Sequence, residues 1–172
     1  MPIIEVLVGP IASGKSTYCK HVAKRGKIII NDDDIVLALH AGHYLEYREE
    51  LKPLYKSIES HILHGAIMCG KSVVVDRGLS MSRKARARWI ALAQTLDTPI
   101  HARLFTIDTP EVHATRRMKA DSRGYTYHQW LDAAERHFKN YEKPTLEEGF
   151  DHVHFHRWEH EGGYYKIGDE DA

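Results

Sequence analysis

Gly9, Gly14, Lys15 and Ser16, within the run GPIASGKST, have the types and spacing of a phosphate cradle, G-x-x-x-x-G-K-[ST]. Glycines let the backbone curl so that successive N–H groups point inward. An anion then sits against those groups and the positive end of the helix that follows. Lys15 adds a cation for the β- and γ-phosphates, and Ser16 a hydroxyl for Mg²⁺. Gly9, Ala12, Ser13, Gly14, Lys15, Ser16 and Thr17 are therefore the expected contacts of bound ATP, with Ser13 and Thr17 in supporting roles. A cradle alone does not say what receives the phosphate.

If the acceptor is a hydroxyl, a carboxylate must orient it and take its proton. Two stretches offer one, NDDD at 31–34 and Asp76 at the end of SVVVD. Each follows an apolar run, and ligands of parallel sheets sit outside the carboxyl ends of the strands. Asn31 or Asp32 suits a helix cap. Three consecutive acids beside a phosphate site repel one another, which argues for chemistry beyond capping. Asp76 reads as a carboxylate holding Mg²⁺ through water.

Arginine suits the charge that gathers on a phosphoryl group in transit. Arg116, Arg117 and Arg123 lie on a helix that ends in Ser-Arg-Gly, and Gly124 supplies hinge freedom for a lid over about 116–126. A second group, Arg83, Lys84, Arg86 and Arg88, opens another helix. No acid lies between Asp76 and Asp97 to pair with it. That pattern predicts an exposed basic surface suited to a phosphodiester backbone. Tyr44, Tyr47, Tyr55, Tyr125, Tyr127 and Trp130 are candidates for stacking on a base.

The elements that would place these residues alternate. Strands are expected at 3–8, 27–30, 72–76, 101–108 and 152–156. Helices are expected at 17–25, from about 35, within 44–69, at 83–96, from Pro110 and at 127–141. HVHFH puts Val153 and Phe155 on one face and His152, His154 and His156 on the other, outward and solvated. The tail from 158 is polar and Gly-containing and reads as loose. Alternation of this kind predicts a single α/β domain over 1–172, a five-stranded parallel sheet with helices on both faces.

Composition bounds the partners. The chain has 172 residues, 42% hydrophobic and 28% charged, and Lys plus Arg (24) balances Asp plus Glu (24). A zero formal charge does not advertise a nucleic-acid binder, although acids elsewhere can offset a local basic channel. No apolar run is long enough to span a membrane, and no signal peptide is evident, so a cytoplasmic location is expected. Cys19 and Cys69 are too few for a disulfide or zinc framework and read as buried free thiols. The N/T-K-x-D element of GTPases is absent, and a motor ATPase domain would be longer.

GPIASGKSTYCKHVAK, IIINDDDI, SVVVDRGL and RRMKADSRG together resemble the kinase domain of bacteriophage-type polynucleotide 5′-hydroxyl kinases, within the small P-loop kinases, over about residues 3–155. In that family an Asn-Arg precedes an acid pair whose first Asp is the general base. Matched from Asn31, the resemblance implies Asp33 as general base, Asp34 as second acid and Asp32 in the Arg position. Lys15, Arg117 and Arg123 would then act on the transferred group. Two positions depart from the family pattern. Val36 stands where an arginine binds the acceptor's phosphate, and Arg77-Gly78 stands where small polar residues follow the strand-three Asp. The expected acceptor contacts are Asp34, Arg77, Arg83 and Arg86. The implied activity is ATP-dependent transfer to a hydroxyl of DNA or RNA, either a 5′-terminus or a hydroxymethylated base. A kinase of a sugar, nucleoside or antibiotic hydroxyl, and a non-catalytic NTP-binding protein, are the alternatives.

Overall fold

The computed structural model describes residues 1–43, 47–120, 124–161 and 164–171, with side chains as far as His156 except Leu79. Five apolar runs form parallel strands: β1 (Ile4–Val8), β2 (Ile28–Asn31), β3 (Val73–Asp76), β4 (Ile100–Phe105) and β5 (His152–Glu161). A sixth strand, β6 (Tyr164–Asp171), returns antiparallel along β5, and the order across the sheet is β2-β3-β1-β4-β5-β6. β1 lies in the middle and every residue of it is buried, as its unbroken IEVLV requires.

Helices fill the crossovers: α1 (Lys15–Ala23), α2 (Asp32–Leu39), α3 (Lys52–Met68), α4 (Arg83–Thr95), α5 (Pro110–Lys119) and α6 (Tyr127–Lys139). On one face of the sheet Ile4, Val6, Val8, Val73, Val75 and Leu104 pack against Leu63 of α3 and Trp89, Ile90 and Ala93 of α4. On the other, Leu7, Val74 and Phe105 meet Tyr18, Cys19 and Val22 of α1. Each such aliphatic side chain contributes roughly 1.5–3 kcal/mol of burial free energy. The second face also carries ions. Glu5 is 1% exposed and accepts from Tyr18 Oη (2.6 Å), Lys27 Nζ (3.0 Å) and Arg103 Nε (2.5 Å). Burial alone would raise its carboxyl. The Arg103 and Lys27 charges and the Tyr18 bond overturn that and hold it below the ordinary range. This network ties α1, and so the end of the cradle, to β1 and β4.

Four expectations change. The tail is not loose as far as it is described, because β6 pairs with the edge of β5. His156 is not solvated: it is 2% exposed, against Tyr18 and Phe105 at ring-centroid distances of 5.1 and 4.5 Å. Cys69, the C-cap of α3, is exposed, while Cys19 is buried as expected. The basic helix is the largest correction. Arg86 is fully buried. Its Nε and Nη2 donate to the two Glu148 carboxylate oxygens (2.8 and 2.6 Å), and its Nη1 to the Ser80 and Met81 carbonyls (3.1 and 3.0 Å). Arg88 donates to the Glu59 carboxylate, Ser60 Oγ (2.8 Å) and the Lys56 carbonyl (2.5 Å). Neither acid lies near these arginines in sequence, but α3 and the 146–148 turn bring them there.

Arg86→Ala is therefore expected to destabilise the fold by about 3–5 kcal/mol, because it leaves the Glu148 carboxylate buried and unpaired. Denaturant unfolding measures it. A loss below about 1 kcal/mol would mean that the pair is not buried in solution.

Candidate active site

The cradle follows from two steric facts. A Cβ on Gly9 would stand 2.7 Å from Ser13 Oγ and 2.9 Å from Phe105 Cβ, so only glycine lets the loop close on the sheet. Gly14 has φ of 100° and Ala12 a φ of 52°, left-handed turns that curl the backbone ahead of α1. Lys15 is buried and its Nζ staples the loop, donating to the Gly9 carbonyl at 2.8 Å and the Pro10 carbonyl at 2.7 Å. Burial pulls its ammonium below the ordinary lysine range, and Asp76 pushes the other way.

Around the cradle lies a cleft of about 650 Å³. Ala12, Gly14, Lys15, Ser16 and Thr17 form its floor, Asn31, Asp32, Asp33, Asp76 and Gly78 one wall, and Arg116, Arg117, Tyr125, Trp130, Arg136 and His137 the other. The acids come from the ends of β2 and β3, paired in register Asn31↔Asp76. Asn31 caps α2, its Oδ1 accepting from the Asp33 N–H at 2.9 Å and the Asp34 N–H at 3.4 Å, and its Nδ2 reaches Asp76 Oδ2 at 3.4 Å. The helix so begins at Asp32 rather than near Ile35.

The three acids of NDDD are not equivalent. Asp32 Oδ2 accepts from Arg77 Nε (3.3 Å) and Nη2 (3.1 Å), and Arg77 Nη1 continues to the fully buried Glu59 (3.3 Å). Asp33 lines the cleft, and Asp34 is exposed outside it. Partial burial and the charges of Asp33 and Asp32 raise the Asp34 carboxyl. Asp76 is 6% exposed and its carboxyl is raised by burial, against the pull of Lys15. The Cys19 S–H donates to Asp76 Oδ2 at 3.7 Å. Burial, followed by Asp76, drives that thiol far above its ordinary value. An alkylating reagent at pH 8 is expected to label the native protein at Cys69 alone, leaving Cys19 unmodified by peptide mass mapping. Rapid labelling of Cys19 would contradict the closed packing of α1 on β3.

The basic residues divide. Arg116 Nη1 pairs with Asp108 Oδ2 at 2.5 Å. The Arg117 guanidinium lies 4.7 Å from the Trp130 ring centroid, and Tyr125 packs against the same ring at 4.9 Å with the planes tilted by 39°. Arg123 lies outside the described residues. Arg77 and Arg86, expected at the acceptor, are spent on carboxylates and neither lines the cleft. Arg83 is exposed and outside the cleft, its backbone N–H donating to Glu142 Oε2 at 2.7 Å. The sequence reading missed the α6 wall beyond Trp130, namely Ala133, Arg136 and His137. The i, i+3, i+4, i+7 stripe of Trp130, Ala133, Ala134 and His137 is the signal that could have found it.

The arrangement brings a phosphate cradle, a lysine, a hydroxyl and the carboxylates of Asp32, Asp33 and Asp76 into one cleft, and its fold has known counterparts. A kinase-like protein from Chloroflexus aurantiacus, described as a candidate kinase, superposes with a TM-score of 0.60 at 13% identity, over 77% of this chain and 74% of that one. A chain of the Pnkp1/Rnl/Hen1 RNA repair complex superposes with a TM-score of 0.63 at 15% identity, over 82% of this chain and 46% of that one. No curated protein matches in sequence. At these identities the likeness is one of fold, a P-loop kinase-like α/β fold. A family model described as an AAA domain, AAA_33, matches residues 4–148, most of the chain, and the protein belongs to that family.

Proposed function

We propose that the protein transfers the γ-phosphate of ATP to a hydroxyl on nucleic acid, most simply the 5′-hydroxyl of a DNA or RNA strand. The observation that carries the transfer is the division of labour in NDDD. Asp32 and Asp33 both line the cleft that Lys15 floors, and Arg77 pairs with Asp32. Asp33 then accepts the proton of the acceptor hydroxyl as its oxygen attacks the phosphoryl group, and Lys15 and Arg117 meet the charge that develops on the equatorial oxygens. Trp130 holds Arg117 in place for that step.

The residues present fit Mg²⁺. Ser16 and Asp76 line one cleft and offer a hydroxyl and a carboxylate, the few hard oxygen donors that Mg²⁺ takes from protein when phosphates and water supply the rest. Bound there, the ion would neutralise charge on the β- and γ-phosphates. Arg123 and the segment at about 116–126 are proposed as the closing lid.

The nucleic-acid acceptor is supported by the sequence resemblance and by the fold shared with a chain of an RNA repair complex. A small-molecule hydroxyl acceptor is the second reading. It is favoured by the burial of Arg86 and the pairing of Arg88, which remove much of the expected basic surface. Incubation with γ-labelled ATP and a panel of a 5′-hydroxyl oligonucleotide, its 5′-phosphorylated twin, nucleosides and sugars separates them. Label is expected on the 5′-hydroxyl strand and not on its twin. Label confined to sugars or nucleosides would overturn the nucleic-acid reading.

A further inference from the structure

Two donors converge on one oxygen of Asp76. The Cys19 S–H donates to Oδ2 at 3.7 Å from α1, and Asn31 Nδ2 reaches the same oxygen at 3.4 Å from the end of β2. Oδ1 accepts no hydrogen bond among the described residues. Lys15, whose charge pulls on Asp76, spends its Nζ bonds on the Gly9 and Pro10 carbonyls. The carboxylate is therefore held by two neutral donors on one side, and its other oxygen is left to the cleft that it lines.

Packing explains only part of Cys19. Lys15 and Cys19 share the buried face of α1, as their i, i+4 spacing requires. Val74 and Asp76 alternate with Val75 along β3 and share the face that α1 covers. Cys19 is 7% exposed and lies in an apolar cluster with Leu7, Val22 and Val74. An alanine or a valine would meet that packing. A thiol is a small hydrophobe that also carries a donor, and here the donor lands on a carboxylate. An aspartate turns readily about its last side-chain bond. Bonds to Oδ2 from α1 and from β2 oppose that rotation and fix which oxygen is offered to the cleft. Asn31 is itself held, since its Oδ1 caps α2.

We propose that Cys19 is a positioning residue for the metal carboxylate: its thiol holds Asp76 by Oδ2, so that Oδ1 stays available to Mg²⁺ or to water on the ion. Outer partners of this kind orient metal ligands and tune their affinity. α1 then serves the ion twice, through the Ser16 hydroxyl in its first turn and through the thiol one residue short of a turn further on. The inference rests on the Mg²⁺ reading above and adds to it the side chain that keeps the carboxylate in place.

The test is calorimetric binding of β,γ-imido ATP, once with excess Mg²⁺ and once in EDTA, to wild type, Cys19→Ala, Cys19→Ser and Asp76→Ala. Circular dichroism first establishes that each variant is folded. The readout is the ratio of the EDTA Kd to the Mg²⁺ Kd, which reports what the ion contributes through the protein. Ala and Ser both remove the bulk of the sulfur and differ from each other only in the hydroxyl, so a packing role moves them together. Asp76→Ala should bring the ratio close to one. Cys19→Ala should lower it by about tenfold, the low end of what losing an outer partner of a metal ligand costs, with the EDTA Kd within about twofold of wild type. Cys19→Ser should return the ratio to within about threefold of wild type, because the hydroxyl restores a donor. Equal ratios in Cys19→Ala and Cys19→Ser, or a loss in Cys19→Ala that appears equally in EDTA, would overturn the positioning role and leave Asp76 as the metal carboxylate. A ratio unchanged in Asp76→Ala would remove Asp76 from the ion, and the role of Cys19 with it.

Discussion

Asp33→Asn is expected to lower turnover by about a hundredfold or more while ATP affinity changes by less than about threefold. The amide keeps the shape of the carboxylate and loses the proton acceptor, and losing a positioned base costs about 10²–10⁴ in rate. Asp32→Asn is the informative partner. Its carboxylate lies on Arg77, so the change weakens an ion pair that also reaches Glu59. It should lower stability measurably and turnover far less. Parallel kcat and unfolding measurements on the two variants separate base from brace. A larger loss of kcat in Asp32→Asn than in Asp33→Asn would move the base by one residue and remove the register taken from Asn31.

Lys15→Ala is expected to reduce transfer on the order of a thousandfold, to near background. The phosphates lose the buried Lys15 ammonium in the floor of the cleft, and a single preorganised donor to developing charge is worth about 10²–10³ in rate. Lys15 also bonds the Gly9 and Pro10 carbonyls, so a modest fall in thermal midpoint accompanies the loss, about 1 kcal/mol for each bond. Single-turnover transfer at saturating ATP, with circular dichroism as the check on folding, measures it. Turnover within tenfold of wild type would mean that this loop does not hold the donor.

Most of the sheet was legible because its signals are local. IEVLV, KIII and SVVVD are apolar runs bounded by turn residues, and GPIASGKST carries its own steric logic, as Gly9 and Gly14 show. β6 was missed although the signal existed: two glycines separate HVHFHRWEHE from YYKIGDED, the spacing of a two-residue hairpin. Polarity was read there as looseness. Charge was the harder problem. Arg86 has no acid within its own helix, and its partner, Glu148, lies 62 residues further along the chain. Pairing at that separation is a property of the fold. The same holds for Arg77, whose two partners sit on α2 and α3. The register that makes Asp33 the proposed base came from the resemblance, matched at Asn31; Asn31 caps α2, and Asp32 beside it pairs with Arg77. The stripe of Trp130, Ala133, Ala134 and His137 marked a face of α6, but only the packing of α6 over Gly78 shows that this face meets the cleft.

The most direct measurement is the position of the label on a strand. A 5′-hydroxyl oligonucleotide incubated with γ-labelled ATP, then digested to nucleoside monophosphates that retain their 5′-phosphates, is expected to yield all label in the 5′-terminal nucleotide with wild type, and roughly a hundredth as much with Asp33→Asn. Label at an internal nucleotide or on a base, or equal label with both proteins, would contradict the account.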